Sequence, residues 1–179
     1  MARPSDTRQR IQAAARELFA SQGVRKTSLQ EIADRLGITK PALYYHFSSR
    51  EDLVRSIVQP LIDEGEAFLR RQEAKGEVDA RAMLGEYFDF HLRHREELML
   101  ILTELTTLAE LGLVQVVLSW RERLAALLIG PEPTLVMAAR ATMALGGVQD
   151  CVVQFPHAPA DELREATVGA ALAVLGIPG

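Results

Sequence analysis

The sequence predicts an all-α fold of about nine helices, and three features support this fold class. Apolar residues recur at spacings of three and four along most of the chain, which places them on one face of a helix. Several of these stretches are preceded by serine, threonine or aspartate and followed by glycine, the residues preferred at helix ends. No stretch shows the strict alternation of apolar and polar residues that indicates a half-buried strand.

The first two predicted helices both end at a glycine. The first begins near Asp6 and ends near Gly23, and its apolar residues share one face. The second follows Ser28, which has the spacing of a capping box with Glu31, so that each side chain accepts from the backbone amide of the other. It ends at Gly37, which can adopt the left-handed conformation that a tight turn needs.

A third, very short helix follows Thr39, a suitable N-cap. Pro41 is tolerated because it lies in the first turn, where the amides have no partner within the helix. Leu43 and Phe47 are expected to point inward. The outer face then carries three larger side chains, which are Lys40, Tyr44 and Tyr45.

The remainder of the chain is also helical in its pattern. A capping box of Ser48 and Glu51 opens a long fourth helix that runs to about Lys75, and Pro60 should kink it because proline has no amide proton to donate. The further helices are expected at 79–94, at 96–111 as one short helix and the start of another, at 113–128, at 134–154 and at 161–175.

Composition limits the class of protein. The 179 residues are 48% hydrophobic and 25% charged, which is enough apolar material for a core and excludes disorder. The single cysteine, Cys151, allows no internal disulfide. No stretch approaches the ~18 apolar residues of a membrane span, and the N-terminus lacks the apolar part of a signal peptide. We therefore expect a soluble, cytoplasmic protein.

Charge is unevenly distributed along the chain. Residues 1–55 hold ten basic and six acidic residues, whereas the remainder holds ten basic and eighteen acidic residues. A basic N-terminal part joined to an acidic remainder indicates a small nucleic-acid-binding module attached to a different domain.

The segment from Ser28 to His46 has the pattern of a helix-turn-helix motif. In this motif the first helix lies against the DNA backbone and the second enters the major groove. Lys40 can donate to O6 and N7 of guanine, while Pro41 and Ala42 can contact thymine methyl groups.

The residues of this segment resemble a known family. The run TSLQEIADRLGITKPALYYHFSSREDL, residues 27–53, and the preceding AAARELFASQG are similar to the N-terminal domain of TetR/AcrR-family transcriptional regulators. The resemblance covers about the first third of the chain. It implies a three-helix DNA-binding domain at 1–48, followed by a helical effector-binding and dimerisation domain at 49–179.

The resemblance also implies roles for individual residues. Ser28 would cap the second helix against a phosphate, and Gln30 would face the DNA. Tyr45, His46 and Arg50 would bind phosphates, although Tyr45 could equally be a half-buried packing residue. The leading edge of the recognition helix would consist of Thr39, Lys40, Pro41, Ala42 and Tyr44.

The predicted helices at 134–154 and 161–175 are apolar on nearly every side, so each must be buried by more than one neighbour. One neighbour is the core of the domain, and the other is most simply a second subunit, in line with the homodimer that the resemblance implies. A central helix pair in a monomer is the alternative. The small residues expected at the dimer interface are Ala144, Gly147, Ala166 and Ala170.

The resemblance implies a small-molecule effector, and the predicted helix at 79–94 has two apolar faces that could border its cavity. The residues expected to line this cavity are Phe88, His91, Trp120 and Met143. Aromatic residues at helical spacing can equally form the core. Some polar residues stand among apolar neighbours in the sequence, and we expect each of them to be buried and paired or to orient a ligand. These residues are Glu104, Gln115, Arg140 and Asp150.

Enzymatic and metal-dependent functions find no support in the sequence. No nucleophile, histidine and acid form a recognisable catalytic pattern, and no glycine-rich phosphate loop is present. His91 and His94 have a ligand-like spacing, but His94 stands between two arginines at what is expected to be a solvated helix end. We therefore expect no enzyme, no cofactor and no metal.

Together these features predict a homodimeric, ligand-responsive repressor that binds a palindromic operator of double-stranded DNA. Effector binding would move the fourth helix, with Pro60 as a hinge, and change the separation of the two DNA-binding units from roughly 34–36 Å, one helical turn of DNA. The alternative is a small-molecule-binding or redox-sensing protein with a vestigial DNA-binding head.

Overall fold

The computed structural model describes residues 4–178, apart from the side chains of residues 4, 5, 105, 107 and 108. This range contains ten α-helices and no strand, which confirms the all-α prediction. The helices are α1 (Pro4–Gln22), α2 (Leu29–Leu36), α3 (Lys40–His46), α4 (Arg50–Glu73), α5 (Ala80–Arg93), α6 (Arg95–Thr103), α7 (Leu105–Glu110), α8 (Leu113–Ile129), α9 (Leu135–Gln154) and α10 (Ala160–Leu175).

The tenth helix comes from the stretch for which the sequence predicted one short helix and the start of another. Helix α6 ends at Thr103, and α7 is a separate helix that ends at Glu110. Gly112, with a φ of +72°, lies between α7 and α8, and this left-handed conformation separates the two helices. Helix α4, by contrast, continues through Pro60, which is exposed.

The predicted capping box of α4 is wrong by one residue. The helix begins at Arg50, so Ser49 is the residue that caps it, and Ser49 Oγ accepts from the amide of Asp52 at 3.0 Å. The Asp52 carboxylate in turn accepts from the amide of Ser48 at 2.9 Å. The sequence Ser-Ser-Arg-Glu-Asp contains two overlapping serine-acid pairs, and the spacing rule alone does not distinguish them.

The chain divides into two compact units. The first consists of residues up to 62 together with 100–114, and the second consists of 63–99 together with the residues from 115 onward. In the first unit, α2 packs against α1 and α3. Its core includes side chains that are almost completely buried, which are Ile11, Ala15, Ile32, Leu43, Phe47, Leu53 and Ile57.

In the second unit, α5, α9 and α10 pack against one another. Met83, Leu84 and Phe88 of α5 are fully buried, as the two apolar faces of this helix predicted. The rings of Tyr87 and Phe90 both stack on Phe68, with centroid distances of 6.2 Å. None of the helices between residues 4 and 178 combines the length and the hydropathy that crossing a bilayer requires.

Candidate functional site

The turn between α2 and α3 is built by local hydrogen bonds. Ser28 Oγ accepts from the amide of Glu31 at 3.1 Å, and the Glu31 carboxylate accepts from the amide of Ser28 at 2.7 Å, as the capping box predicted. Because these bonds stabilise the ionised form, the pKa of Glu31 is lowered. Gly37 ends α2 with a φ of +65°, and Thr39 Oγ1 accepts from the amide of Ala42 to begin α3.

Helix α3 is anchored by its inner face, so its outer face is available to a partner. Leu43 is fully buried and Phe47 is 1% exposed. Tyr45 is 81% exposed, so it does not pack against this chain as the alternative interpretation required. The predicted leading edge is exposed throughout, and it consists of Thr39, Lys40, Pro41, Ala42 and Tyr44.

The C-terminal end of α3 is held by Arg8, a residue for which the sequence predicts no role in the site. Arg8 Nη1 donates to the carbonyl of His46 at 2.8 Å, and its guanidinium lies 4.3 Å from the centre of the Phe47 ring. A basic residue on the exposed side of α1 carries no sign of this contact in the sequence, because its partners lie 38 residues away. Arg8 therefore helps to fix the angle between α1 and the predicted recognition helix.

Ser28, Gln30 and Arg50 are among the predicted DNA-binding side chains that make hydrogen bonds within the chain. Ser28 is engaged in its capping box, and Gln30 Nε2 donates to Asp34 Oδ1 at 2.6 Å on the exposed surface of α2. Arg50 Nη1 donates to the carbonyls of Val24 at 3.4 Å and Arg25 at 3.1 Å. The guanidinium of Arg50 thus lies against the turn that precedes α2.

The predicted effector residues do not line a common cavity. Phe88, His91 and Trp120 are 0%, 4% and 7% exposed and belong to the core, whereas Met143 is 65% exposed on the surface of α9. Burial lowers the pKa of His91 to about 4, and its Nδ1 lies 2.8 Å from the carbonyl of Tyr87. The space beside α5 is therefore filled by side chains.

Trp120 is a packing residue with a satisfied polar group. Its Nε1 donates to Glu66 Oε2 at 3.2 Å, and a Cβ placed on Gly65 would lie only 2.5 Å from its ring. The same carboxylate of Glu66 pairs with Arg123, which also reaches Glu73 with two hydrogen bonds of 2.8 Å. Because the guanidinium stabilises both carboxylates, the pKa values of Glu66 and Glu73 are lowered.

A cavity of about 450 Å³ does lie in the second unit, between α8 and the first half of α9. Its walls are mainly apolar, with Arg121, Glu122 and Thr142 as the polar exceptions. The apolar and small lining residues are Leu118, Ala125, Ala126, Ile129, Gly130, Pro131, Pro133, Ala138 and Leu145. No pattern in the sequence indicates this cavity, because its residues come from both helices and from the loop that joins them and share no common period.

The expectation that His94 lies at a solvated helix end is wrong. His94 is 7% exposed, its Nε2 lies 3.0 Å from Glu64 Oε2, and its ring centre lies 5.0 Å from that of Phe90. The close contact with His94 is the main reason why the pKa of Glu64 is lowered. Of the flanking arginines, Arg93 Nη2 lies 3.6 Å from the same Glu64 oxygen. Arg95 points away from this group and donates to the carbonyls of Val152 and Pro156.

The four predicted interface residues differ in exposure. Ala144 is 2% exposed, so its side chain already faces the interior of the single chain, and Gly147 is partly covered. Ala166 and Ala170 of α10 are exposed. Helix α9 adds large apolar side chains that the chain itself leaves uncovered, which are Leu135 at 86%, Val136 at 61% and Met143 at 65%.

Comparison with known proteins supports the prediction that this segment is a helix-turn-helix motif. Residues 11–57 match the family model described as bacterial regulatory proteins, tetR family, which confirms the resemblance seen in the sequence. The HTH-type transcriptional regulator TtgR of Pseudomonas putida is 35% identical over 74 residues, which is 41% of this chain and 35% of TtgR. The chain thus matches only about a third of the length of this curated relative.

The fold is similar to solved structures over nearly its whole length. The match to a TetR-like transcriptional regulator from Rhodococcus sp. RHA1 covers 98% of this chain and 99% of that regulator, with a TM-score of 0.76 and 21% identity. The match to the transcriptional regulator FadR of Bacillus subtilis, solved in complex with stearoyl-CoA, covers 95% of this chain and 99% of FadR, with a TM-score of 0.63 and 18% identity. All three proteins are named as transcriptional regulators, in agreement with the prediction that the chain is not an enzyme.

Proposed function

The chain carries the DNA-binding module of the TetR family of bacterial regulatory proteins, and from this premise we propose that it is a homodimeric transcriptional repressor. The observation that carries the proposal is the exposed face of α3, on which Lys40, Tyr44 and Tyr45 project from a helix anchored by Leu43 and Phe47. Such a helix can enter the major groove, where a lysine donates to guanine.

The proposed dimer forms through α9 and α10. Leu135 and Val136 of α9 and the small residues Ala166 and Ala170 of α10 are exposed in the single chain. Covering large apolar side chains is favourable, and small residues allow helices to approach closely, so a two-fold axis beside these helices would bury both sets. A dimer would also present two α3 helices to the two halves of a palindromic site.

The proposed effector is an apolar or amphipathic small molecule. The cavity between α8 and α9 has the size and the mainly apolar lining of ligand sites, with few polar groups to orient a bound molecule. The structural neighbour FadR was solved with stearoyl-CoA, a molecule of this general character. The effector releases DNA only if it favours the conformation that does not bind the operator.

Selection from a random-sequence duplex library tests the DNA-binding proposal. The full-length protein should enrich a palindromic site, and a gel shift should show one complex containing two subunits. Lys40→Ala should enrich a site with a relaxed preference at one base pair of each half, whereas Arg81→Ala, which removes one exposed positive charge from α5, should enrich the same site as wild type. A wild-type protein that enriches no sequence would support the alternative of a vestigial head.

A further inference from the structure

We propose that Glu104 and Arg50 are positioning residues that hold the turn between α1 and α2, so that Arg25 and Lys26 of this turn bind DNA phosphates. The inference rests on the proposed DNA-binding function and extends it beyond the helix-turn-helix. Residues 23–28 are called the α1–α2 turn below.

The α1–α2 turn leads directly into the N-terminus of α2. Gly23 has a φ of +87°, a conformation that favours glycine, and the next residue, Val24, is fully buried. Thr27 closes the turn, because its amide donates to the carbonyl of Val24 at 3.2 Å and its Oγ1 donates to the carbonyl of Gly23 at 2.8 Å. The position of this turn therefore sets the position of Ser28.

Two charged side chains from distant parts of the chain bind the backbone of this turn. Glu104, between α6 and α7, accepts from the amide of Val24 at 2.7 Å, across 80 residues of sequence. Arg50, at the start of α4, donates to the carbonyls of Val24 and Arg25. The backbone amide and the backbone carbonyl of Val24 thus both have charged partners, and hydrogen bonds to ionised groups are stronger than neutral ones.

The fit between the turn and Glu104 is close. A Cβ placed on Gly23 would lie 3.0 Å from Glu104 Oε1, so the carboxylate rests directly on the glycine as well as on the amide beside it. This contact and those of Arg50 lie within the first compact unit, which includes residues 100–114 as well as α1, α2 and α3. The turn is therefore fixed from two sides.

The side chains that the turn presents to solvent are basic. Arg25 and Lys26 are both exposed, and neither forms an ion pair among the residues that the structure describes. They directly precede Thr27 and Ser28, and the family resemblance implies a phosphate contact for Ser28. Phosphate contacts set the register of a protein on DNA, so a fixed pair of cations here would orient α3 over its bases.

Salt titrations of DNA binding test this arrangement. The full-length protein and its variants are titrated by fluorescence anisotropy against the palindromic duplex enriched above, from 50 to 200 mM salt. Arg25→Ala and Lys26→Ala should each make the slope of log K against log salt shallower by about 1.8, because each substitution removes one phosphate contact from each subunit of the proposed dimer. The affinity should then fall about twelvefold less over this range than for wild type. Unchanged slopes in both variants would overturn the phosphate contacts.

The role of Glu104 is tested by two variants that each remove its negative charge and so have the same net charge as each other. Glu104→Ala should weaken binding and reduce the salt slope, because the turn is no longer held, whereas Glu104→Gln should restore both, because its amide oxygen can accept from Val24. Glu110→Ala removes an exposed acid from α7 and serves as the control. If Glu104→Ala lowers only the melting temperature and leaves the slope of the wild type, Glu104 is purely structural and the proposal fails.

A double-mutant comparison separates positioning by Arg50 from direct phosphate binding. In the Arg25→Ala/Lys26→Ala background, Arg50→Ala should change the salt slope by less than 0.3, because the residues through which it acts are already absent. A further reduction of about 1.8, one phosphate for each subunit, would show that Arg50 binds a phosphate itself, which overturns its positioning role. A wild-type protein that binds no duplex would refute the proposed function, whereas binding with unaltered slopes refutes only this inference.

Discussion

Replacing His91 with leucine should remove part of the acid sensitivity of the fold. His91 is buried among Tyr87 and Phe90, and its pKa falls from 6.5 to about 4 chiefly because burial disfavours the imidazolium, with smaller contributions from Arg121 and His94. The hydrogen bond to the Tyr87 carbonyl acts in the opposite direction. The folded protein therefore keeps this ring neutral under conditions in which the unfolded chain protonates it.

The sign and the size of the effect follow from these two pKa values. Because the unfolded chain binds the extra proton, stability is full above pH 6.5 and is lost as the pH falls from 6.5 towards 4. With 1.36 kcal/mol for each pKa unit, the loss reaches about 2 kcal/mol at pH 5 and about 3 kcal/mol at pH 4. His91→Leu, which cannot protonate, should lack this component.

Urea denaturation followed by far-UV circular dichroism measures the difference. Wild type and His91→Leu are compared at pH 7.5 and pH 5 at one protein concentration, because the stability of the proposed dimer would depend on its concentration. Other groups titrate in both proteins, so the quantity of interest is the extra loss in wild type. Equal losses of unfolding free energy in the two proteins would refute the argument that His91 is neutral because it is buried.

Three further predictions concern other parts of the molecule. Lys40→Ala should cost about 1–3 kcal/mol on the specific site and relax the preference at one base pair, measured by competition with single-base variants; an unchanged preference would contradict a base contact. Ala170→Glu, at an exposed position, should give folded monomers by light scattering, and a dimeric protein would place the interface elsewhere. Ala144→Glu, by contrast, buries an unpaired charge and should lower the melting temperature. Gly65→Ala should displace the Trp120 ring, shift its fluorescence and destabilise the fold by about 1–3 kcal/mol; an unaltered spectrum and melting temperature would argue against the close packing.

The helices were largely predictable because their signals are local. The capping box of Ser28 and Glu31, the turn at Gly37 and the inward Leu43 each depend on residues within a few positions of one another. The stretch that forms α6 and α7 was harder to predict, because two helices of nine and six residues leave too few turns for a clear period. Ser49 displaced Ser48 as the cap of α4 for a similarly local reason, since both serines have an acid at the required spacing.

The contacts that shape the candidate sites could not be predicted in the same way. The partners of Glu104 and Arg50 lie 80 and about 25 residues away, and a single sequence carries no sign of such distances. The aromatic residues of α5 have the same periodicity whether they border a cavity or fill a core. Burial of Phe88 and His91 shows that here they fill it, and the cavity lies between α8 and α9 instead.

The first compact unit is assembled from two stretches of chain, and this has a consequence for synthesis. Residues 1–62 leave the ribosome first, but the 100–114 stretch, which brings Glu104 to the amide of Val24, emerges only after residues 63–99. Closing that intervening loop costs entropy that the later contacts must offset. A nascent or truncated chain that stops at residue 62 would contain every residue of α1, α2 and α3. It would still lack the hydrogen bond between the Glu104 carboxylate and the Val24 amide in its α1–α2 turn. The unit that contains α1, α2 and α3 is thus begun before residues 63–99 are made but completed only after residue 104 has been added.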